Sequence, residues 1–278
     1  VSDRRTSATR NQARRRVPTV LVVAGSDPTG GAGLQADLKT LEWFGVASAA
    51  AVSAITIQTA TRVRASHPVP APTLQAQLAA VAASISPRVI KCGLLASAAN
   101  VEVVADFTAR RRHCALVVDP VTAASGRGAR LSRKDLAQAL VERLFPLASV
   151  VTVNLPEASN LCGARVTDEA AMADAARAIA DMGPHAVVIK GGHLRGPPVD
   201  VLYCGGRLRR FPGVRAPATM HGTGCAFASA LAAGLALGFG VARAVEDAGA
   251  HVRALIAASQ RTRDGGRLRA PLAPRKTR

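Results

Sequence analysis

The stretch VLVVAGSDPTGGAGLQADLKTL, residues 20–41, decides the fold. Val20 to Ala24 is a short, continuously apolar run rich in β-branched residues, the composition of a strand buried on both faces. Ser26-Asp27-Pro28-Thr29-Gly30-Gly31 then strings together turn-forming residues. From Gly33 the pattern changes: Leu34, Leu38 and Leu41 recur at helical spacing, with Gln35, Asp37 and Lys39 between them. Strand, glycine loop and helix make the opening βα unit of an α/β protein.

The same alternation continues along the chain. Strands are predicted at Val52–Ile57, Val89–Cys92, Ala115–Asp119, Val150–Val153 and Ala186–Ile189, and helices at Thr73–Ile85, Asn100–Arg111, Ser132–Leu144 and Asp168–Asp181. Val201–Tyr203 and Arg207–Phe211 flank Gly205-Gly206 as a hairpin, and two helices follow near Thr223–Leu237 and Val241–Ser259. Continuously apolar strands separated by helices imply a mostly parallel central sheet with helices on both faces. The 278 residues suit one large domain, placed at residues 18–260, between basic tails at 1–17 and 261–278 that are expected to be disordered.

Composition narrows the function classes. A hydrophobic content of 49% against 19% charged residues excludes a disordered chain as a whole. Of the formal net charge of +18, the two tails carry +11, so most of the basicity is terminal and reads as solvated arginine; a nucleic-acid contact through the tails is the competing reading. Aromatic residues at 3% leave little for base stacking. Five cysteines without a CxxC spacing argue against a disulfide framework and a zinc site, and for a reducing, cytoplasmic setting. The N-terminus lacks the apolar core of a signal peptide, although its arginines and hydroxyl residues would also suit a transit peptide. Cys225 to Ala242 carries no charge over eighteen residues, but its Ala and Gly content and missing aromatic flanks predict a helix buried within the protein, with no membrane partner.

Several constellations could carry chemistry. Gly31-Ala32-Gly33-Leu34-Gln35-Ala36 fits the dinucleotide pattern GxGxxG/A, yet the ribose-binding acid expected about 20 residues later is missing, which argues against a nicotinamide or flavin site. No GxxxxGK[ST] phosphate loop is present. His221-Gly222-Thr223-Gly224-Cys225 opens the Ala/Gly helix, and a glycine turn at a helix N-terminus offers free N–H groups to a phosphoryl group. The same field is expected to lower the pKa of Cys225 from about 8.5. Asp119-Pro120, Asn154-Leu155-Pro156-Glu157 and Lys190-Gly191-Gly192-His193 each follow a strand, which predicts a polar cleft along the carboxyl edge of the sheet.

In order, AGSDPTGGAGLQADLKT (24–40), KCGLLAS (91–97), VVDPV (117–121), NLPEA (154–158), IKGGHL (189–194) and HGTGC (221–225) resemble the hydroxymethylpyrimidine and phosphomethylpyrimidine kinases of thiamine biosynthesis, within the ribokinase superfamily. The resemblance runs from about Val20 to Ser259 and implies a ribokinase-like fold, a homodimer, and ATP-dependent phosphorylation of 4-amino-5-hydroxymethyl-2-methylpyrimidine and then of its monophosphate. Carried over by position, it implies that Gln58 holds the aminopyrimidine ring, with Gly25, Asp37 and Leu94 around the same pocket. It makes Cys225 the base for the hydroxymethyl group, the backbone of Gly222, Thr223 and Gly224 the anion hole, and Lys190 a contact for the phosphates of ATP. Asp119, Asn154 and Glu157 become organisers of Mg2+ and its waters, with Asp119 and Glu157 as metal ligands. The chain departs from the family in reading Gln58-Thr59-Ala60 for Gln-Asn-Thr, and in having Leu94 and Thr122 where methionines are common. A pyridoxal kinase on the same scaffold is the nearest rival, because pyridoxal also carries a hydroxymethyl group on a substituted aromatic ring.

Overall fold

In the computed structural model, which describes residues 17–121, 133–216 and 218–273, the opening unit forms as β1 (Thr19–Ser26) and α1 (Gly33–Trp43). The chain continues through β2 (Ala47–Gln58), β3 (Val63–Pro68), α2 (Ala71–Ser84), β4 (Val89–Cys92), α3 (Ala98–Ala109) and β5 (Ala115–Val118). Then come α4 (Arg133–Ala139), which closes in a π turn at Leu140–Leu144, β6 (Val150–Asn154), α5 (Leu155–Cys162), α6 (Glu169–Ala180) and β7 (Ala186–Lys190). The hairpin of β8 (Val199–Cys204) and β9 (Arg207–Pro212) precedes α7 (Thr223–Ala236) and α8 (Val241–Ala258). Ser132, the expected start of α4, lies outside the described residues.

Among the described residues nine strands form one sheet in the order β3-β2-β1-β4-β5-β6-β7-β8-β9. The six from β2 to β7 run parallel, while β3, β8 and β9 are antiparallel edges. Alternation along the strands divides the core. Leu21 and Val23 of β1 face α2 to α6, whereas Val20, Val22 and Ala24 face α1, α7 and α8. The uncharged stretch from Cys225 supplies α7, which is buried along most of its length between the sheet, α1 and α8. Among the described residues no helix is long and apolar enough to cross a membrane.

Two regions differ from the sequence expectation. VRASHP has no apolar run to mark it as a strand, yet it forms β3, because antiparallel pairing with β2 satisfies its backbone at the sheet edge. The segment after residue 260 was expected to be a disordered tail, and its described part is folded. Gln260–Arg261 and Arg267–Leu268 pair as β10 and β11, and the domain extends to Ala273. Two of its arginines serve as donors, Arg269 and Arg267, and the guanidinium of Arg267 donates to the hydroxyl and the carbonyl of Ser259, both at 2.7 Å, whereas Arg261 and Arg263 are exposed. The expected N-terminal tail, except Val17, and residues 274–278 lie outside the described residues.

Candidate active site

A cavity of about 480 Å³ opens along the carboxyl edge of the parallel strands, where α/β sheets bind ligands. Each strand delivers a group to it: Gly25 and Ser26 from β1, Gln58 from β2, Asp119 after β5, Asn154 from β6 and Lys190 from β7. The glycine turn of α7 closes its floor. Gly25, Gln58, Leu94, Asp119, Asn154, Glu157, Lys190, Gly222, Thr223, Gly224 and Cys225 therefore share one cavity.

Asp37 is the exception. It does not line the cavity; its carboxylate is fully buried, 2.8 Å from the equally buried Lys91 ammonium, and accepts a second 2.8 Å bond from the Ser229 hydroxyl. The wall it was expected to form is made instead by Gly25 and Leu94, so close that a Cβ on Gly25 would meet Leu94 at 3.1 Å. Burial by itself would pull Lys91 down, but Asp37, with Cys225 and Asp119 farther off, raises its pKa above the usual lysine value.

At one end of the cavity, Asp27 organises the glycine loop. Its carboxylate accepts from the backbone N–H groups of Thr29 (2.8 Å) and Ala32 (2.7 Å), and its own N–H donates to Gln35 at 2.9 Å. His221 Nε2 stands 3.6 Å from Asp27 Oδ2 and 3.5 Å from Gln58 Nε2. Burial would raise the Asp27 carboxyl, but His221, Gln58 and the loop amides together hold it well below the usual carboxylate range. The loop then packs against the α7 entry. Gly222 has φ +83°, and a Cβ there would fall 2.0 Å from the Gly31 carbonyl, so only glycine lets the two turns touch.

At the other end, Lys190 Nζ lies 3.0 Å from Asp119 Oδ1, to which Thr152 also donates at 3.2 Å. A Cβ on Gly224 would sit 3.4 Å from Lys190 Nζ and 3.8 Å from Asp119 Oδ2, which brings both groups to the N-terminus of α7. Asn154 and Glu157 form a reciprocal capping box on α5, each side chain accepting from the other's N–H at 2.9 and 2.8 Å. Burial raises the Glu157 carboxyl, Lys190 opposes that, and Asp119 adds to it. Two carboxylates crowded beside one ammonium suit a hard cation that keeps most of its own waters, so Asp119 and Glu157 fit Mg2+ carried by a nucleotide. Among the described residues no three His, Cys, Asp or Glu side chains form a metal cage by themselves.

Cys225 sits in the first turn of α7, but its thiol is not acidified as expected. Burial pushes it up to about 12; Lys91 opposes this, while Asp37 and Asp119 add to it. Desolvation and nearby carboxylates outweigh the helix dipole here. Sequence reasoning assigned no role to Asp27, His221 or Lys91. Asp27 reads as one more turn residue, yet an aspartate two residues before a threonine and five before an alanine can bond both backbones.

The sequence matches the family model described as phosphomethylpyrimidine kinase over residues 27–268. It is 43% identical over 248 residues to the hydroxymethylpyrimidine/phosphomethylpyrimidine kinase of Rhizobium meliloti, covering 88% of this chain and 92% of that protein. It is likewise 43% identical over 244 residues to the thiamine biosynthesis bifunctional protein ThiED of Geobacter sulfurreducens, where the match covers 87% of this chain and 50% of that protein. This chain thus spans about half the length of that bifunctional relative. Among solved structures, an ADP complex of Bacillus subtilis pyridoxal kinase superposes with a TM-score of 0.85 at 33% identity, covering 92% of this chain and 97% of that one. The fold is ribokinase-like, as the resemblance implies.

Proposed function

Because the chain belongs to the phosphomethylpyrimidine kinase family, we propose that its cavity transfers the γ-phosphoryl group of ATP to 4-amino-5-hydroxymethyl-2-methylpyrimidine, and then a second one to the resulting monophosphate, for thiamine diphosphate biosynthesis. The observation that carries this reading is the division of one cavity into two ends. Gly25, Gln58 and Leu94 offer an amide and apolar walls to a flat ring, while Lys190, Asp119, Glu157 and the α7 N-terminus gather where phosphates would lie.

The side-chain amide of Gln58 supplies a paired donor and acceptor for the aminopyrimidine edge. In the first transfer the hydroxymethyl oxygen forms a bond to the γ-phosphorus, the bond to the β–γ bridging oxygen breaks, ADP departs, and the hydroxyl proton passes to the thiolate form of Cys225, which becomes the neutral thiol. The N–H groups of Gly222 to Cys225 and the Lys190 ammonium stabilise charge on the transferring group, and positioning and electrostatics dominate such reactions. Asn154 and Lys190 contact the nucleotide. Asp119 and Glu157 would hold Mg2+, which when bound neutralises phosphate charge. The second acceptor is a phosphate with a pKa near about 6, so it arrives mostly deprotonated and needs no base. Cys225→Ala is therefore expected to slow the first transfer much more than the second, measured as separate kcat/KM values on the two pyrimidines. Equal losses would remove Cys225 from the base role.

The superposition with pyridoxal kinase supports a second reading, pyridoxal as an acceptor in the same pocket. Parallel rates on pyridoxal and the pyrimidine separate the two. A homodimer and a cytoplasmic setting belong to the proposal as well; Ile55 and Ile57, each 50% exposed on β2, give a second copy an apolar face.

A further inference from the structure

We propose that residues 260–273 act as a positioning strap that sets the geometry of the substrate end of the cavity, and so governs affinity for the pyrimidine rather than for ATP. The inference rests on the reading of Gln58 given above as the residue that meets the ring. Gln58 ends β2, and the chain turns at Thr59–Arg62 before returning as β3. Among the described residues β3 pairs with β2 alone, and β2 pairs with β1 no farther than Ile55, so the stretch leading into this turn is two-stranded, and a two-stranded ribbon by itself is marginally stable in water. The turn closes on itself through a bond from the Thr59 N–H to the Arg62 carbonyl at 2.8 Å and through the Thr59 hydroxyl, which accepts from the N–H groups of Thr61 and Arg62 at 3.3 and 3.2 Å. What fixes it against the body of the domain comes from about two hundred residues later.

The tip of the β10–β11 hairpin, held by a 3.0 Å bond from the Thr262 N–H to the Gly266 carbonyl, lies directly on that turn. A Cβ on Gly266 would be 2.8 Å from Ala60 and 2.9 Å from Thr61, so the contact is already at its limit. The Thr61 hydroxyl donates to Asp264 at 3.0 Å. The next contact is with the glycine loop. Leu268 would lie 3.0 Å from a Cβ on Gly31, at a point that also faces Thr29 and the His221 ring. Beyond it, Arg269 donates to the Ala36 carbonyl at 3.0 Å and to the Thr40 hydroxyl at 2.8 Å, and the Ala273 carbonyl accepts from the Trp43 indole at 2.7 Å. These last two contacts lie past the residues that match the family model, which end at 268. One segment therefore spans three parts of the substrate end: the turn after Gln58, the glycine loop and helix α1. Gln58 reaches His221 at 3.5 Å across the gap that this segment spans.

The test uses the full chain and three variants: Asp264→Ala combined with Leu268→Ala, Thr61→Val, and the conservative Thr61→Ser. Each is assayed for KM of the hydroxymethylpyrimidine, KM of ATP and kcat, and amide hydrogen exchange is followed across residues 56–62. In the double variant the pyrimidine KM is expected to rise about fivefold, the scale of one or two modest contacts, with the ATP KM and kcat changed less than about twofold. Exchange at 58–62 is expected to quicken in the double variant and in Thr61→Val, and to stay as in the parent in Thr61→Ser. Unchanged exchange in the double variant overturns the inference. So does a pyrimidine KM that stays put, or rises only in step with that of ATP. If the parent chain fails to turn over the pyrimidine at all, the functional reading fails, and the exchange measurement still decides the strap.

Discussion

Lys91 and Asp37 are both fully shielded from solvent, and each is the other's ionic partner at 2.8 Å. Removing one partner of such a pair leaves an uncompensated buried charge. Lys91→Met is accordingly expected to cost about 3–5 kcal/mol in urea denaturation, and pairing it with Asp37→Leu to recover much of that loss. A Lys91→Met variant as stable as the parent would contradict this account of the pair. The same neighbourhood sets the pH behaviour of Cys225. Burial and the nearby carboxylates hold its thiol at about 12, so at neutral pH only a small fraction is thiolate, and that fraction grows as pH rises. If the thiolate takes the hydroxymethyl proton, kcat/KM for the first transfer should climb about tenfold per pH unit between roughly pH 7 and 9, while the second transfer does not share that slope. A first transfer that is flat over this range would contradict the role. Part of this chemistry was readable in advance. Asp37 lies on the same face of α1 as Leu34 and Leu41, and Lys91 is the lone cation in the apolar run VIKC, so each already called for a buried partner. Spacing does not say which acid meets which base, and the pocket position of Asp37 came from the family resemblance alone.

Between elements, the decisive contact is the one between the glycine loop and the entry to α7. Gly222 combines a left-handed backbone with a carbonyl at 2.0 Å from where its Cβ would be. Gly222→Ala must therefore push the two turns apart and misdirect the N–H groups of the anion hole. Both transfers are expected to fall by about a hundredfold or more, since one misplaced donor in such a hole costs that much. Loss of only one of the two transfers would show that the turn serves the acceptor and not the phosphoryl group. The two glycine turns were legible separately, but not their contact; β1 and α7 were legible from their uninterrupted apolar or uncharged runs and α1 from its helical periodicity. The β3 strand and the β10–β11 hairpin were not. Their sequences, VRASHP and QRTRDGGRL, are polar, and what holds them is backbone pairing and single polar contacts: β3 pairs with the nearby Ile55 and Ile57 of β2, and the hairpin is tied to the neighbouring Ser259 and, about two hundred residues away, to Thr61. Arg267 and Arg269, which read as part of a charged tail, are donors to carbonyls and hydroxyls.

Across the whole molecule, the parallel sheet aligns strand ends so that residues as far apart as Gly25 and Cys225 line one cavity, and the two faces of the core hold that edge from both sides. Identity of the ring and order of the two transfers are properties of this assembled cleft rather than of any single residue. The most direct test supplies the purified chain with ATP and magnesium and, in parallel, with hydroxymethylpyrimidine, its monophosphate or pyridoxal, resolving the products by mass. The account predicts the pyrimidine diphosphate from both pyrimidines, with the monophosphate appearing first when the alcohol is the substrate. Phosphorylation of pyridoxal alone, or consumption of none of the three, would contradict it.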